Sequence, residues 1–190
     1  MATTTPWGPA QTADKVAPGI MFYTTAGHGG VHLSAGRQAK VPAYMQCEGG
    51  WYEEDCDWCI PAIVFADEWN KWSKHADCEQ AKSTLRNWHP AMYEQYFNVV
   101  LKPGESSQKD RYEWYKAHKH EMIVVAACGD WHENCPKGYV LVTACIGGRD
   151  PVTYQYCGPL HEFIVPQEDY ANRDNESFVV DVTKYEERVA

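Results

Sequence analysis

No stretch of the chain approaches the roughly 18 apolar residues that a membrane-spanning helix needs. Its start, MATTTPWGPAQ, has neither the basic nor the apolar region of a signal peptide. The expectation is a soluble, cytosolic protein with no membrane partner. Basic charge is also scarce: 17 Lys and Arg stand against 26 Asp and Glu, a formal net charge of −9. That balance repels a nucleic-acid backbone, and the aromatic residues lack the basic stripe that a single-strand platform requires. Nucleic acid is therefore not an expected partner, and a basic protein suits the charge better. Motifs that fix a reaction are missing as well. There is no GxGxxG after a strand, no P-loop, no GxSxG elbow and no HExxH. Internal repeats, low-complexity tracts and linkers are absent too, which argues against a solenoid or a string of modules.

What is present is a 190-residue chain with 44% hydrophobic and 13% aromatic residues, including 8 Trp and 12 Tyr. This is enough to bury a continuous core in one globular domain without disulfide or metal staples. Eight cysteines stand at 47, 56, 59, 78, 128, 135, 145 and 157. In a reducing compartment they read as buried thiols, metal ligands or a nucleophile rather than as disulfides.

The most site-like stretch is 19–34, GIMFYTTAGHGGVHLS. Residues 20–25 predict a strand, a Gly-rich turn comes next, and 31–34 returns as the second arm of a hairpin with His28 at its tip. The glycines there suit a positive φ and a close approach of the backbone. Before this hairpin, 7–17 predicts a short helix ended by Pro18 and Gly19. After it, 37–45 predicts a short helix broken at Pro42. A further helix is expected from about Tyr52, its first turn rich in acid, with Pro61 signalling a kink or a late start. Amphipathic helices are expected over 67–86, 87–102 and 106–120. From Met122 the pattern changes to short β-branched and aromatic runs at 122–128, 138–146, 152–156 and 161–165, an antiparallel meander. A brief helix at 166–173 and a last strand at 178–181 complete the chain. Strands and helices are grouped rather than alternating, so the fold class is α+β. A single domain is expected, its antiparallel sheet built from the N-terminal hairpin and the C-terminal meander and packed on the helices of the middle.

Four constellations could carry chemistry. His28 and His32 are metal candidates, but four residues of regular strand span about 13 Å, so a shared ion requires the turn to curl back. Otherwise His28 bonds within its turn and His32 packs on the solvent face. The acidic knot Glu53, Glu54, Asp55, Cys56, Asp57 offers Glu53 and Asp55 as ligands of a hard metal, and Asp55 or Cys56 as catalytic groups. Ordinary helix-dipole complements would look the same. Cys56-x2-Cys59 followed by His75-x2-Cys78 resembles zinc-ligand spacing, with buried thiols as the alternative. In the loop 129–138, His132 and Cys135 could act as base and nucleophile, although Asp, Asn, Gly and Pro are also what a turn needs.

The runs GIMFYTTAGHGGVHLS, GGWYEEDCDW at 49–58, GDWHENCPKGY at 129–139 and FIVPQEDYANR at 163–173 together resemble a family of small uncharacterised proteins encoded by phages, plasmids and other bacterial mobile elements. The resemblance spans nearly the whole chain and implies no established reaction. It implies a phage or mobile-element origin and expression in a bacterial cytoplasm. Two functional readings are consistent with it. One is an accessory protein that binds and modulates a host or defence component. The other is a small hydrolase or transferase dependent on zinc, another divalent metal or cysteine, drawing on His28, Asp55, Cys56, His132 and Cys135.

Overall fold

The computed structural model describes residues 3–73, 77–174 and 176–188. Contacts divide the chain into two compact units, Met1–Gln108 and Lys109–Ala190. Its make-up is α+β, with antiparallel sheets and helices segregated along the chain.

In the first unit a minimal hairpin, β1 (Thr4–Thr5) with β2 (Gly8–Pro9), precedes a four-stranded sheet. That sheet is ordered β3 (Thr12–Ala17), β4 (Ile20–Thr24), β5 (Gly29–Leu33), β6 (Trp51–Glu53). Residues 12–17 are thus a strand where their sequence predicts a helix. Pro18-Gly19 is not a helix stop but a hairpin turn that pairs Ala17 with Ile20, and Gly19 has φ +79°. Proline then glycine at the centre of a tight turn is the type II signature, and pairing with β4 overrides the helical leaning of Ala13, Asp14 and Lys15.

The next hairpin is as expected. Thr25 N–H donates to the His28 carbonyl at 2.7 Å, and Phe22 faces Val31 across the ladder. Its glycines serve close approach rather than positive φ. A Cβ on Gly30 would strike the Tyr52 carbonyl oxygen and the Trp7 ring, and one on Gly29 would strike the Tyr23 carbonyl oxygen and the Glu54 carboxylate.

Helix α1 (Ala35–Gln38) leads to two short turns and then β6. The helix expected from Tyr52 starts later, as α2 (Cys59–Val64), which leaves Pro61 in its first turn where a missing N–H costs nothing. Next come α3 (Ala66–Trp72), α4 (Cys78–Trp88) and α5 (Pro90–Phe97). Asp77 caps α4: its Oδ1 accepts from the N–H groups of Glu79 and Gln80 at 3.0 and 2.9 Å, while Gln80 Oε1 accepts from Asp77 N–H at 3.2 Å. Replacing Asp77 with Ala is expected to lower stability by about 1 kcal/mol, read as a lower urea midpoint with an unchanged m-value. Ile20, Val31 and Leu33 from the sheet meet Met45, Ile60 and Leu85, all at most 1% exposed, to form the core of this unit.

The second unit holds most of α6 (Ser107–Ala117), which begins at the boundary, and a meander ordered β7 (Met122–Gly129), β8 (Tyr139–Ile146), β9 (His161–Pro166). Helix α7 (Gln167–Ala171) comes directly after β9. Val140, Val142 and Ala144 alternate inward along β8 and pack with Phe163, Val165 and Val180. The strand expected at 152–156 is a turn. Asp150 Oδ1 accepts from the N–H groups of Val152 and Thr153 and from the Thr153 hydroxyl, which curls the chain back on itself. The strand expected at 178–181 is reduced to edge pairing on β7, where Val124 N–H donates to Phe178 and Val180 N–H to Met122.

Candidate metal centre

Glu53 ends β6, and its carboxylate organises the turn between β6 and α2. Oε2 accepts from the N–H groups of Asp55 at 2.7 Å and Cys56 at 3.3 Å, and the Glu53 carbonyl accepts from Trp58 N–H at 2.8 Å. These bonds tie residues 53–58 into a turn that presents Asp55, Cys56 and Asp57 side by side. Helix α2 then packs along α4, so residues just before α2 and just after α4 share one end of the pair. What stands after α4 is His89. Pro90 disfavours helical geometry for the residue before it, so α4 stops at Trp88, and His89 is a corner at φ −129°, ψ 57° before Pro90 opens α5.

Two groups of three metal-ligating side chains result among the described residues, each with its ligand atoms within 4.8 Å of one another: Cys56, Asp57 and His89; and His28, Glu53 and Asp55. In the first, His89 Nε2 lies 3.0 Å from Asp57 Oδ1, yet out of line for a hydrogen bond. That nitrogen is buried and has no hydrogen-bond partner. A buried polar atom left in this state is costly unless something else meets it. The Cys56 thiol is 3.8 Å from Asp57 Oδ1. Burial, then the negative charges of Asp57 and Glu53, push its pKa up to about 11. The neighbouring Cys47 is pushed up to about 12, by burial first and then by Asp57 and Cys56, and Cys59 is raised further for the same leading reason.

These shifts decide between two chemistries. A nucleophilic cysteine needs a cationic surrounding that stabilises thiolate, whereas Cys56 sits among carboxylates and stays a thiol at neutral pH. A divalent cation reverses that logic, because it takes the thiolate directly and is itself drawn by the carboxylates.

In the second group His28 Nδ1 is 3.6 Å from Glu53 Oε1, itself a buried oxygen with no hydrogen-bond partner. The His28 side chain is 58% exposed. His28 and His32 do not come together; pairing of β5 with β6 instead brings His28 to Glu53 and Asp55 as ligand candidates. His32 packs on Trp51 with ring centroids 4.3 Å apart, and burial lowers its pKa.

The remaining candidates are occupied elsewhere. Cys59 Sγ–H donates to the Cys56 carbonyl at 2.9 Å, and Cys78 donates to Ala62 at 3.3 Å. His75, the fourth member of that spacing, lies outside the described residues. In the second unit, the buried Cys135 donates to the Tyr139 carbonyl at 3.2 Å, and His132 Nδ1 accepts from Asn134 N–H at 3.3 Å. Each side chain is thus held by its own turn rather than by the other.

An open cleft of about 740 Å³ is lined by His32, Gln38, Gln46, Glu48 and Cys47, among others, and of these Cys47 feels the charges of Asp57 and Cys56. Tyr52 backs this region, fully buried, its hydroxyl donating to Gln38 Oε1 at 2.7 Å. No helix among the described residues is long and apolar enough to cross a membrane.

A family model described as "Domain of unknown function (DUF7007)" matches residues 1–119, which include both ligand groups and the cleft. No curated protein and no solved structure matches the chain.

Proposed function

The chain belongs to the DUF7007 family, and we propose for it a metal-dependent hydrolase or transferase activity centred on Cys56, Asp57 and His89. The observation that carries this reading is the convergence of a thiol, a carboxylate and an imidazole, with a buried His89 nitrogen that lies 3.0 Å from Asp57 Oδ1 but has no hydrogen-bond partner. Sulfur, nitrogen and oxygen together suit zinc, which tolerates all three. Three protein ligands leave a fourth position open, and an ion so held makes bound water acidic enough to act near neutral pH. Asp57 and His89 would hold the ion together with the Cys56 thiolate. Glu53 and Asp55, with His28 from the β4–β5 hairpin, form a second, more exposed group suited to a harder cation.

The test has two parts. Purified protein should bind one equivalent of zinc tightly, and a panel of acyl and phosphate esters should include one hydrolysed with zinc but not after chelation. Failure to bind zinc at micromolar concentration contradicts the reading. The pH dependence has a definite sign. Binding must displace the proton of a thiol whose pKa is about 11, so zinc affinity should rise about tenfold per pH unit between pH 6 and 8. Competition titration at three pH values reads this slope, and a flat profile would exclude Cys56 as a ligand.

A second reading rests on the net charge of −9: an accessory protein of a phage or mobile element, in a bacterial host cytoplasm, that binds a basic host or defence component. All eight cysteines are free thiols, as a reducing compartment would keep them. Capture of a basic partner by metal-free protein, with no turnover of any ester, is the outcome that favours it.

A further inference from the structure

In the second unit a polar pocket of about 360 Å³ is lined by Arg111 of α6, Arg149 after β8, Arg173 after α7, and Tyr115, Tyr154 and Tyr170. The sequence has six arginines, so half of them, in a chain of strongly negative net charge, face one cavity. None of these three is ion-paired among the described residues. They are held by rings and carbonyls instead. Arg149 lies 4.7 Å over Tyr156 and donates to its hydroxyl at 3.1 Å. Arg173 lies 4.8 Å over Tyr170 and donates to that residue's carbonyl at 3.3 Å. Arg111 lies 5.8 Å from both Tyr115 and Tyr154. Stacking fixes a guanidinium plane without neutralising it, and leaves N–H groups for a ligand.

The pocket's construction carries a backbone cost. Tyr154 has φ +58°, a left-handed conformation that a bulky side chain rarely adopts. It is held there by the Asp150 turn, whose carbonyl accepts from Tyr154 N–H at 2.9 Å. Strain of this kind persists where surrounding structure enforces it, and here it places a ring beside Arg111. The floor is β7 at its bulge, where the register shifts between Val124 and Ala126. Two carboxylates, Asp174 and Glu176, also line the cavity, so the count is three cations to two anions. Asp174 is engaged, accepting from Trp114 Nε1–H at 3.2 Å.

We propose that this pocket binds a small soluble phosphate ester or pyrophosphate. Forked guanidinium donors match tetrahedral phosphate oxygens in pairs, and the volume admits a phosphate bearing a compact organic group rather than a polymer. This site is separate from the proposed metal centre and does not depend on it.

The probes are inorganic pyrophosphate and AMP, titrated into the full-length protein and followed by amide NMR shifts, with citrate as a carboxylate control. Saturable binding of either phosphoanion is expected, centred on residues 111, 149 and 173 and at least tenfold tighter than citrate. It should weaken at least tenfold in Arg111→Ala and in Arg173→Ala. Arg149→Lys keeps the charge but not the fork, and should weaken binding while leaving the spectrum folded. Binding that is absent up to 10 mM (on the order of the weakest useful affinities), or unchanged in all three variants, overturns the proposal. So does association with phosphatidic-acid vesicles without any pyrophosphate binding, which would assign the arginines to a lipid surface.

Discussion

Replacing His89 with Ala is expected to lower zinc affinity at least about a hundredfold while leaving the fold intact. The magnitude follows from four-ligand structural zinc sites, where a binding free energy of about 10–16 kcal/mol puts roughly 3 kcal/mol, or two decades, on each ligand; one of three ligands should carry at least that much. The fold survives because His89 serves the α4–α5 corner through its backbone. Its N–H donates to Leu85 at 2.9 Å, and its carbonyl accepts from Tyr93 N–H at 3.0 Å. Alanine makes both bonds. Removing the ring takes away a buried nitrogen that has no hydrogen-bond partner and, with it, the 3.0 Å approach to Asp57, two opposed contributions that should leave the stability of the metal-free protein within about 1 kcal/mol of wild type. Competition titration with a chromogenic chelator, alongside thermal melts with and without zinc, separates the two effects. His32→Ala is the control. Its ring packs on Trp51 outside both ligand groups, so zinc affinity should change less than about twofold. If His89→Ala and His32→Ala bind zinc equally well, His89 is not a ligand.

The largest effect on stability is expected from Gly30→Ala. Gly30 pairs with Glu53 across β5 and β6, and its Cα faces the Tyr52 carbonyl oxygen and the Trp7 ring at distances that leave no room for a methyl group. The carbonyl belongs to the ladder and cannot swing away as a flexible side chain would. The strand must separate or shear, at a cost of about 3 kcal/mol, the upper end of ordinary overpacking. For a chain of this size that is a fall in melting temperature of roughly 6–12 °C. Because Glu53 both pairs with Gly30 and anchors the turn carrying Cys56 and Asp57, the variant should also bind zinc more weakly. Gly27→Ala provides the contrast. A Cβ there meets nothing within 4 Å, so its melting temperature should move by less than about 2 °C.

These two positions show what the sequence makes legible. The hairpin around His28 is readable because alternation, turn glycines and short range all agree. His28, Glu53 and Asp55 are each candidates in the sequence, but their meeting depends on the pairing of β5 with β6. The part played by His89 is not readable by periodicity, because it depends on α2 (Cys59–Val64) packing along α4 (Cys78–Trp88), a contact between separate helices. The sequence carries a local clue all the same. His89 is the only histidine directly before a proline, which marks a helix corner rather than a helix face. Residues 12–17 resist a local reading for a related reason. Ala13, Asp14 and Lys15 have little strand preference of their own, and the Pro18-Gly19 turn decides their state by presenting them to β4. The arginine pocket lies in three segments far apart in sequence, so only the folded meander brings Arg111, Arg149 and Arg173 together.

The proposed activity turns on whether Cys56, Asp57 and His89 hold one ion. Cobalt(II) reports that directly, because thiolate ligation gives an intense near-ultraviolet charge-transfer band and tetrahedral geometry gives strong visible absorption. Equimolar cobalt added to the wild-type protein should produce both. Cys56→Ser should lose the charge-transfer band, and His89→Ala should lose most of the visible intensity. A weak octahedral spectrum in the wild type, or a charge-transfer band that persists in Cys56→Ser, would contradict it.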